Sequence, residues 1–318
     1  MTNTIQEFLE KKIQKSIKKI FKYDIKNIEK DFDSELIHKY RIAIRRHRSI
    51  LEEFINELKI DLDFIEDLRT VFRKAGKIRD YDILIENLEK YHNELKEFKV
   101  DIDIEPLITE LKQVFEKRRK KQIKNFEEFL ESKKYKNIVE KLEKLKEKID
   151  FKNFYISDSD SFSIAYLVAS KFYRMLSHSY WKVNIYEIKA LHHLRRQIKR
   201  TRYYMEILKK FYKKNNEYKN ILERLKKLQD LAGALVDIYI LKDELEKFQK
   251  KYLPDIPAQD NMQLNIQKFA FWLQEKEDQL FQEWNQEKED FFQHKDLYLN
   301  IILENCDINP IKAKEIED

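Results

Sequence analysis

The sequence predicts an all-α protein built as two related, antiparallel helical bundles, and three observations carry that expectation. Only two glycines and four prolines occur in 318 residues, too few for the tight turns that a sandwich or barrel needs. Apolar residues recur at helical spacing almost throughout, as in Leu36, Tyr40, Ile44, Leu51 and Phe54, or in Leu191, Leu194, Ile198, Met205 and Leu208. The third observation is an internal repeat. Aligning His38-Lys39-Tyr40-Arg41 with His192-His193-Leu194-Arg195 carries Arg45, Arg46, Arg48 and Glu52 onto Lys199, Arg200, Arg202 and Glu206 without a gap. After a small shift, Leu68, Gly76, Asp80 and Leu84 fall on Leu225, Gly233, Asp237 and Leu241.

The spacing places helices near 4–22, 34–58, 62–91, 105–131, 134–149, 161–179, 186–213, 216–250 and 262–305. In the first, Lys, Glu and Gln interrupt every short apolar run. Asp33-Ser34 caps the second. The third carries Leu68, Gly76 and Leu84, and Glu105-Pro106 opens the fourth with proline in the first turn. A polar stretch from Ser157 to Ser161 separates the halves, about 1–150 and 151–306. The seventh and eighth helices carry the second copies of the repeat, Pro254 to Pro257 precede the last helix, and 307–318 read as a tail. The 42% hydrophobic and 13% aromatic content suffices for a proper core, so the whole length, 1–318, reads as one duplicated domain.

Charge is plentiful and nearly balanced: 64 Lys+Arg against 58 Asp+Glu leave a net charge of +6. Function therefore depends on whether basic residues segregate onto one surface. A single cysteine, Cys306, makes no internal disulfide and no zinc site. No stretch approaches the roughly 20 apolar residues of a membrane span, and the expected location is cytoplasmic, with no membrane partner and no cofactor.

Segregation is visible on the repeated helices. At 100° per residue His38, Arg41, Arg45 and Arg48 form one stripe, opposite Ile37, Tyr40, Ile44 and Leu51; His192, Arg195, Lys199 and Arg202 form its counterpart. Arg46 and Arg200 flank the stripes. Such groups repel one another, and no carboxylate is read within either stripe to relieve them. One run of this kind is most simply a solvated face; two copies at the same spacing point to a polyanion site. Lys15, Lys18 and Lys22, then Lys171, Arg174 and His178, form supporting stripes, and Arg118, Arg119 and Lys121 another cluster. Gly76 and Gly233 sit inside helices, where glycine costs about 1 kcal/mol relative to alanine, so a close helix–helix approach is expected there. Asp80 and Asp237 are expected to hold arginines of the basic helices in place.

These segments resemble the CHAD domain, a family named for conserved histidines in an α-helical domain. The resemblance is carried by Ile37-His38-Lys39-Tyr40-Arg41 through Arg45-Arg46-His47-Arg48, by Gly76-Lys77-Ile78-Arg79-Asp80-Tyr81-Asp82, by Leu191-His192-His193-Leu194-Arg195 through Lys199-Arg200-Thr201-Arg202-Tyr203, and by Leu228-Gln229-Asp230-Leu231-Ala232-Gly233. It implies two pseudo-symmetric helical bundles around a basic surface that binds inorganic polyphosphate, with the His, Arg and Lys positions above as contacts. Polyphosphate granules are a further implied partner. The Asp237 segment departs from the pattern in lacking the arginine found at Arg79. No Glu-x-Glu-x-Lys of a triphosphate-cleaving tunnel domain occurs, so a binding module without catalysis is expected. Nucleic acid is the alternative ligand: Tyr203 and Tyr204 beside Arg202 offer base stacking, although no turn-linked recognition helix or clamp loop is evident.

Overall fold

The structure is a computed structural model that describes residues 4–23, 32–97, 104–152, 161–178, 181, 187–212, 215–255, 259–304 and 306. It is all-α, with helices α1 (Thr4–Lys22), α2 (Ser34–Glu53), α3 (Leu62–Glu97), α4 (Glu105–Glu131), α5 (Lys133–Glu147), α6 (Ser161–Leu176), α7 (Ile188–Leu208), α8 (Asn216–Tyr252), α9 (Gln259–Gln293) and α10 (Lys295–Glu304). The expected tail at 307–318 lies outside the described residues.

Local chemistry accounts for several helix starts. Asp33 caps α2 by accepting from the amides of Glu35 and Leu36, at 3.1 and 3.2 Å. Asn215 does the same for α8 through Tyr218, and Ser132 separates α4 from α5 by capping Tyr135. Several boundaries differ from those expected: α3 runs on to Glu97, six residues beyond 91, and α7 closes at Leu208, with a 3-10 turn over Lys209–Tyr212. Helix α2 ends at Glu53, five residues early, because Lys59 donates to the Asp150 carbonyl and Lys152 to that of Glu57, tying the next segment to the end of the first half. The last expected helix breaks at His294 into α9 and α10. No proline or glycine marks this break; the bend lets Tyr298, Ile301 and Ile302 of α10 bury themselves against α6 and the core.

Packing repeats in order. Within 1–150, α1 meets α2 and α5, α3 meets α2, α4 and α5; within 151–306, α6 meets α7 and α10, α8 meets α7, α9 and α10. Across the halves, α2 meets α7, α3 meets α8 and α4 meets α9. The hydrophobic cores nevertheless do not follow the halves. One core takes residues from both, from Leu9 and Leu51 through Leu194 and Phe291 to Ile302. A second forms where the far halves of α3, α4, α8 and α9 come together around Leu88, Phe115, Leu241 and Phe269. The physical reason is length: α3 and α8 have 36 and 37 residues, and the part beyond their shorter neighbours stays apolar and closes as a four-helix bundle.

Phe269 is fully buried in that distal bundle. Phe269→Ala should lower unfolding free energy by about 3–5 kcal/mol, read as a shift in urea midpoint, while leaving the helical circular dichroism of the native state unchanged.

Candidate functional site

Helices α2 and α7 pack against each other, and each brings its basic stripe to the junction. An apolar seam holds them: Phe54 and Tyr204 stack with ring centres 5.9 Å apart. Beside it, Tyr203 carries one guanidinium from each half, Arg45 at 5.3 Å and Arg202 at 4.8 Å from its ring centre. Phe72 of α3 supports Arg41 and Arg48 in the same way, at 4.7 and 5.1 Å.

The C-terminal ends of both stripes are neutralised, contrary to the expectation that no carboxylate relieves them. Glu52 approaches Arg48 at 3.3 Å and accepts from Arg69 at 2.8 Å. Glu206 binds Arg202, whose Nε also donates to Gln229 at 3.2 Å. These glutamates align in the repeat, and their i+4 spacing from each arginine was the signal for this role.

Four cations remain at the centre: Arg41, Arg45, Arg195 and Lys199. Among the described residues none of them has a carboxylate in an ion pair, and the Nε atoms of Arg41, Arg45 and Arg195 are buried without a hydrogen-bond partner. Desolvation, with Arg45 and Arg79 nearby, lowers Arg41 to about 10. Desolvation and Arg202 lower Arg45 likewise. Lys199 is affected most: desolvation, then Arg45, Arg195, Arg41 and Arg202, bring its amine down to about 6. At neutral pH the arginines stay charged and Lys199 is largely a neutral amine.

The two helical glycines make room for this cluster. A Cβ on Gly76 would lie 3.4 Å from an Arg41 guanidinium nitrogen, and one on Gly233 would lie 3.3 Å from that of Arg195. What approaches each glycine is thus an aligned arginine, where a neighbouring helix backbone was expected. Asp80 and Asp237 act on those same arginines, Asp80 on Arg41 and Asp237 on Arg195, but through their field, without a direct ion pair. Desolvation outweighs that attraction and pushes Asp237 up to about 6. The aspartate of this segment that directly holds an arginine is buried Asp82, which accepts from Arg119; Arg79, 4.0 Å from Asp82, donates to Glu86 at 2.6 and 2.9 Å. The signal for Asp82 was its place in the Gly76–Asp82 segment, two residues beyond the aspartate singled out.

Several expected contacts are engaged elsewhere. Arg119 is held by Asp82 and the Phe32 carbonyl, and Arg118 by Glu244 of α8, which ties the halves together. Lys171 pairs with Glu53 of α2. Lys18, Lys22 and Arg174 are exposed, while Arg46 and Lys15 face a separate cleft beside α1. Arg200 is exposed near Arg48, and His178 packs against His193 with ring centres 4.4 Å apart. His38 and His192 lie exposed at the N-terminal ends of the stripes. Desolvation and neighbouring cations, Arg79, Arg45 and Arg41 for the first and Arg196, Arg195 and Lys199 for the second, hold both below the ordinary histidine value.

A family model for the CHAD domain matches residues 11–246. The chain belongs to the CHAD domain family. Its fold is similar to the crystal structure of the CHAD domain from the plant Ricinus communis, with TM-score 0.64 and 17% identity over 89% of this chain and 91% of that one. It is also similar to PptA from Streptomyces chartreusis, with TM-score 0.57 and 13% identity over 92% and 98%. No curated protein matches the sequence. The glycine, arginine and histidine positions of this CHAD domain lie on α2, α3, α7 and α8, all within the matched span.

Two outcomes follow from the crowding. Gly76→Ala and Gly233→Ala should each leave stability unchanged or raise it by up to about 1 kcal/mol through helix propensity, while displacing the guanidinium of Arg41 or Arg195. Lys199→Met should raise the melting temperature of the ligand-free protein. Because the folded amine titrates near 6 and the unfolded one near 10.5, the gain should be largest at pH 6 and below and fade as pH rises toward about 10.5; paired thermal melts across that range measure it.

Proposed function

We propose that this CHAD domain binds inorganic polyphosphate across the α2–α7 junction and does not cleave it. One observation carries the reading: Arg41, Arg45, Arg195 and Lys199 converge with no paired carboxylate among the described residues, and the buried Nε–H groups of these three arginines, like those of Arg48 and Arg79, have no hydrogen-bond acceptor there. Burying unpaired donors costs free energy that an anion with many oxygens recovers. Polyphosphate carries about one negative charge per phosphate, and cations spaced by one helical turn of about 5.4 Å can follow its chain. The ligand needs no base-stacking surface. Tyr203 and Tyr204, the residues that favoured a nucleic acid, are 7% and 5% exposed and engaged in packing, which favours a ligand without bases. The four central groups stabilise charge, and binding alone is therefore assigned. We place the activity in the cytoplasm, where the protein would accompany polyphosphate granules; among the described residues no helix is long and apolar enough to cross a membrane.

Binding to long-chain polyphosphate should weaken steeply with salt through counterion release. Arg45→Ala with Arg195→Ala should cost more affinity, and flatten the salt dependence more, than Arg48→Ala with Arg202→Ala, because the latter pair already has glutamate partners. Equal effects, or unchanged binding in a folded central variant, would remove the junction as the site. RNA at matched phosphate concentration should compete poorly, and no orthophosphate should appear with or without divalent metal.

The pH dependence should follow Lys199. A bound polyanion favours its charged form, so binding takes up a proton, and affinity should rise as pH falls from about 9 to 6, by at most tenfold per unit for one proton, levelling near 6. Lys199→Arg, permanently charged, should flatten this profile. His38→Gln with His192→Gln should remove only the smaller part that lies below about pH 7, and a flat wild-type profile would count against a neutral Lys199.

A further inference from the structure

Arg46 lies about 140° round α2 from Arg41, at roughly 100° per residue, and so cannot serve the junction. It faces instead a cleft of about 490 Å³ enclosed by α1, α2 and the end of α7. That volume falls within the usual range of small-molecule sites. Lys12, Lys15 and Lys19 of α1, Arg46 and Lys209 form its rim, and none of the five has a carboxylate ion pair among the described residues. The charges of the two acidic neighbours are taken: Glu206 binds Arg202, and Glu35 binds the remaining rim lysine, Lys39, at 2.8 Å. Mutual crowding is felt at half-buried Lys12, lowered by desolvation and then by Lys209, Lys15, Lys210 and Lys19. The floor is apolar, made by Ile42, Ala43, Ile50 and Ile207, with Tyr23 and Tyr203 at its sides. Of the hydroxyls that line it, that of Ser16 is satisfied internally by the Ile13 carbonyl and His47, both at 2.7 Å.

We propose that this cleft is a second, independent anion site for a compact triphosphate-bearing small molecule whose non-phosphate body covers the apolar floor, a nucleoside triphosphate being the matching class. Cations converging from three elements neutralise a short, highly charged phosphate group. A bare polymer gains nothing from an apolar floor, whereas a planar base or similar body gains by covering it.

Calorimetric titration with ATP, AMP and tripolyphosphate tests the assignment. ATP should bind wild type more tightly than either comparator. Lys12→Gln with Lys19→Gln should weaken ATP by about tenfold or more, the loss expected from one or two charge-assisted contacts, yet change long-chain polyphosphate affinity little. Arg41→Gln with Arg195→Gln should do the reverse, so failure of the junction reading and failure of the cleft are separately visible. Ile42→Asn should weaken ATP and spare tripolyphosphate. The proposal is overturned if ATP fails to bind at millimolar concentration, if tripolyphosphate matches it, or if the junction variant loses ATP as fully as the cleft variant does.

Discussion

Like charges held together by an apolar seam are the constraint on which this structure rests. The basic faces of α2 and α7 repel, and the stack of Phe54 on Tyr204, backed by a core drawn from both halves, keeps them adjacent. Non-directional hydrophobic burial can oppose such repulsion without cancelling its field. Every other feature of the junction manages what remains. Glutamates close the stripe ends, aromatic rings support guanidinium groups, and glycines leave space for the arginines that have no partner.

The two halves meet this demand with different chemistry at aligned positions. Where Phe72 supports Arg48 by its ring, Gln229, at the corresponding place, accepts from Arg202 Nε. Arg45 aligns with Lys199, and that exchange matters electrostatically. A guanidinium tolerates crowding and stays charged, whereas a compact ammonium gives up its proton. The centre therefore holds an amine lowered to about 6, and Asp237, which acts on Arg195, is raised to about 6 as well. Asp82 anchors Arg119 and Glu86 anchors Arg79 in the first half; Tyr239 stands at the counterpart of Asp82, and the arginine that aligns with Arg79 is absent, Val236 taking its place.

Such a cluster makes the junction costly for the empty protein, a cost that the proposed anion would recover, the familiar opposition between a strained site and a stable fold. The distal bundle of α3, α4, α8 and α9 carries no part of the site and contributes burial that offsets this cost. Arg118 to Glu244 and Lys171 to Glu53 add ties across the halves. Basic residues that sequence reading grouped together thus divide into central cations without a paired carboxylate, exposed cations such as Lys18 and Arg174, and side chains held by a carboxylate within reach.

The all-α fold, the helix starts at Asp33 and Pro106, the repeat and the central residues Arg41, Arg45, Arg195 and Lys199 were legible in the sequence, because periodicity, capping and turn chemistry are local. The spacing of those four along two helices places them on one face of each without any knowledge of neighbours. Tertiary structure decided the rest. That Arg118, Arg119 and Lys171 are cross-links, that Asp82 holds Arg119 while Asp80 reaches Arg41 only through its field, that glycine accommodates a guanidinium, and that α9 breaks at His294 all depend on which side chains meet across tens of residues. So does the depressed amine of Lys199. A residue's charge is written in the chain; the desolvation and the neighbouring charges that set its proton affinity exist only once α2 and α7 have met.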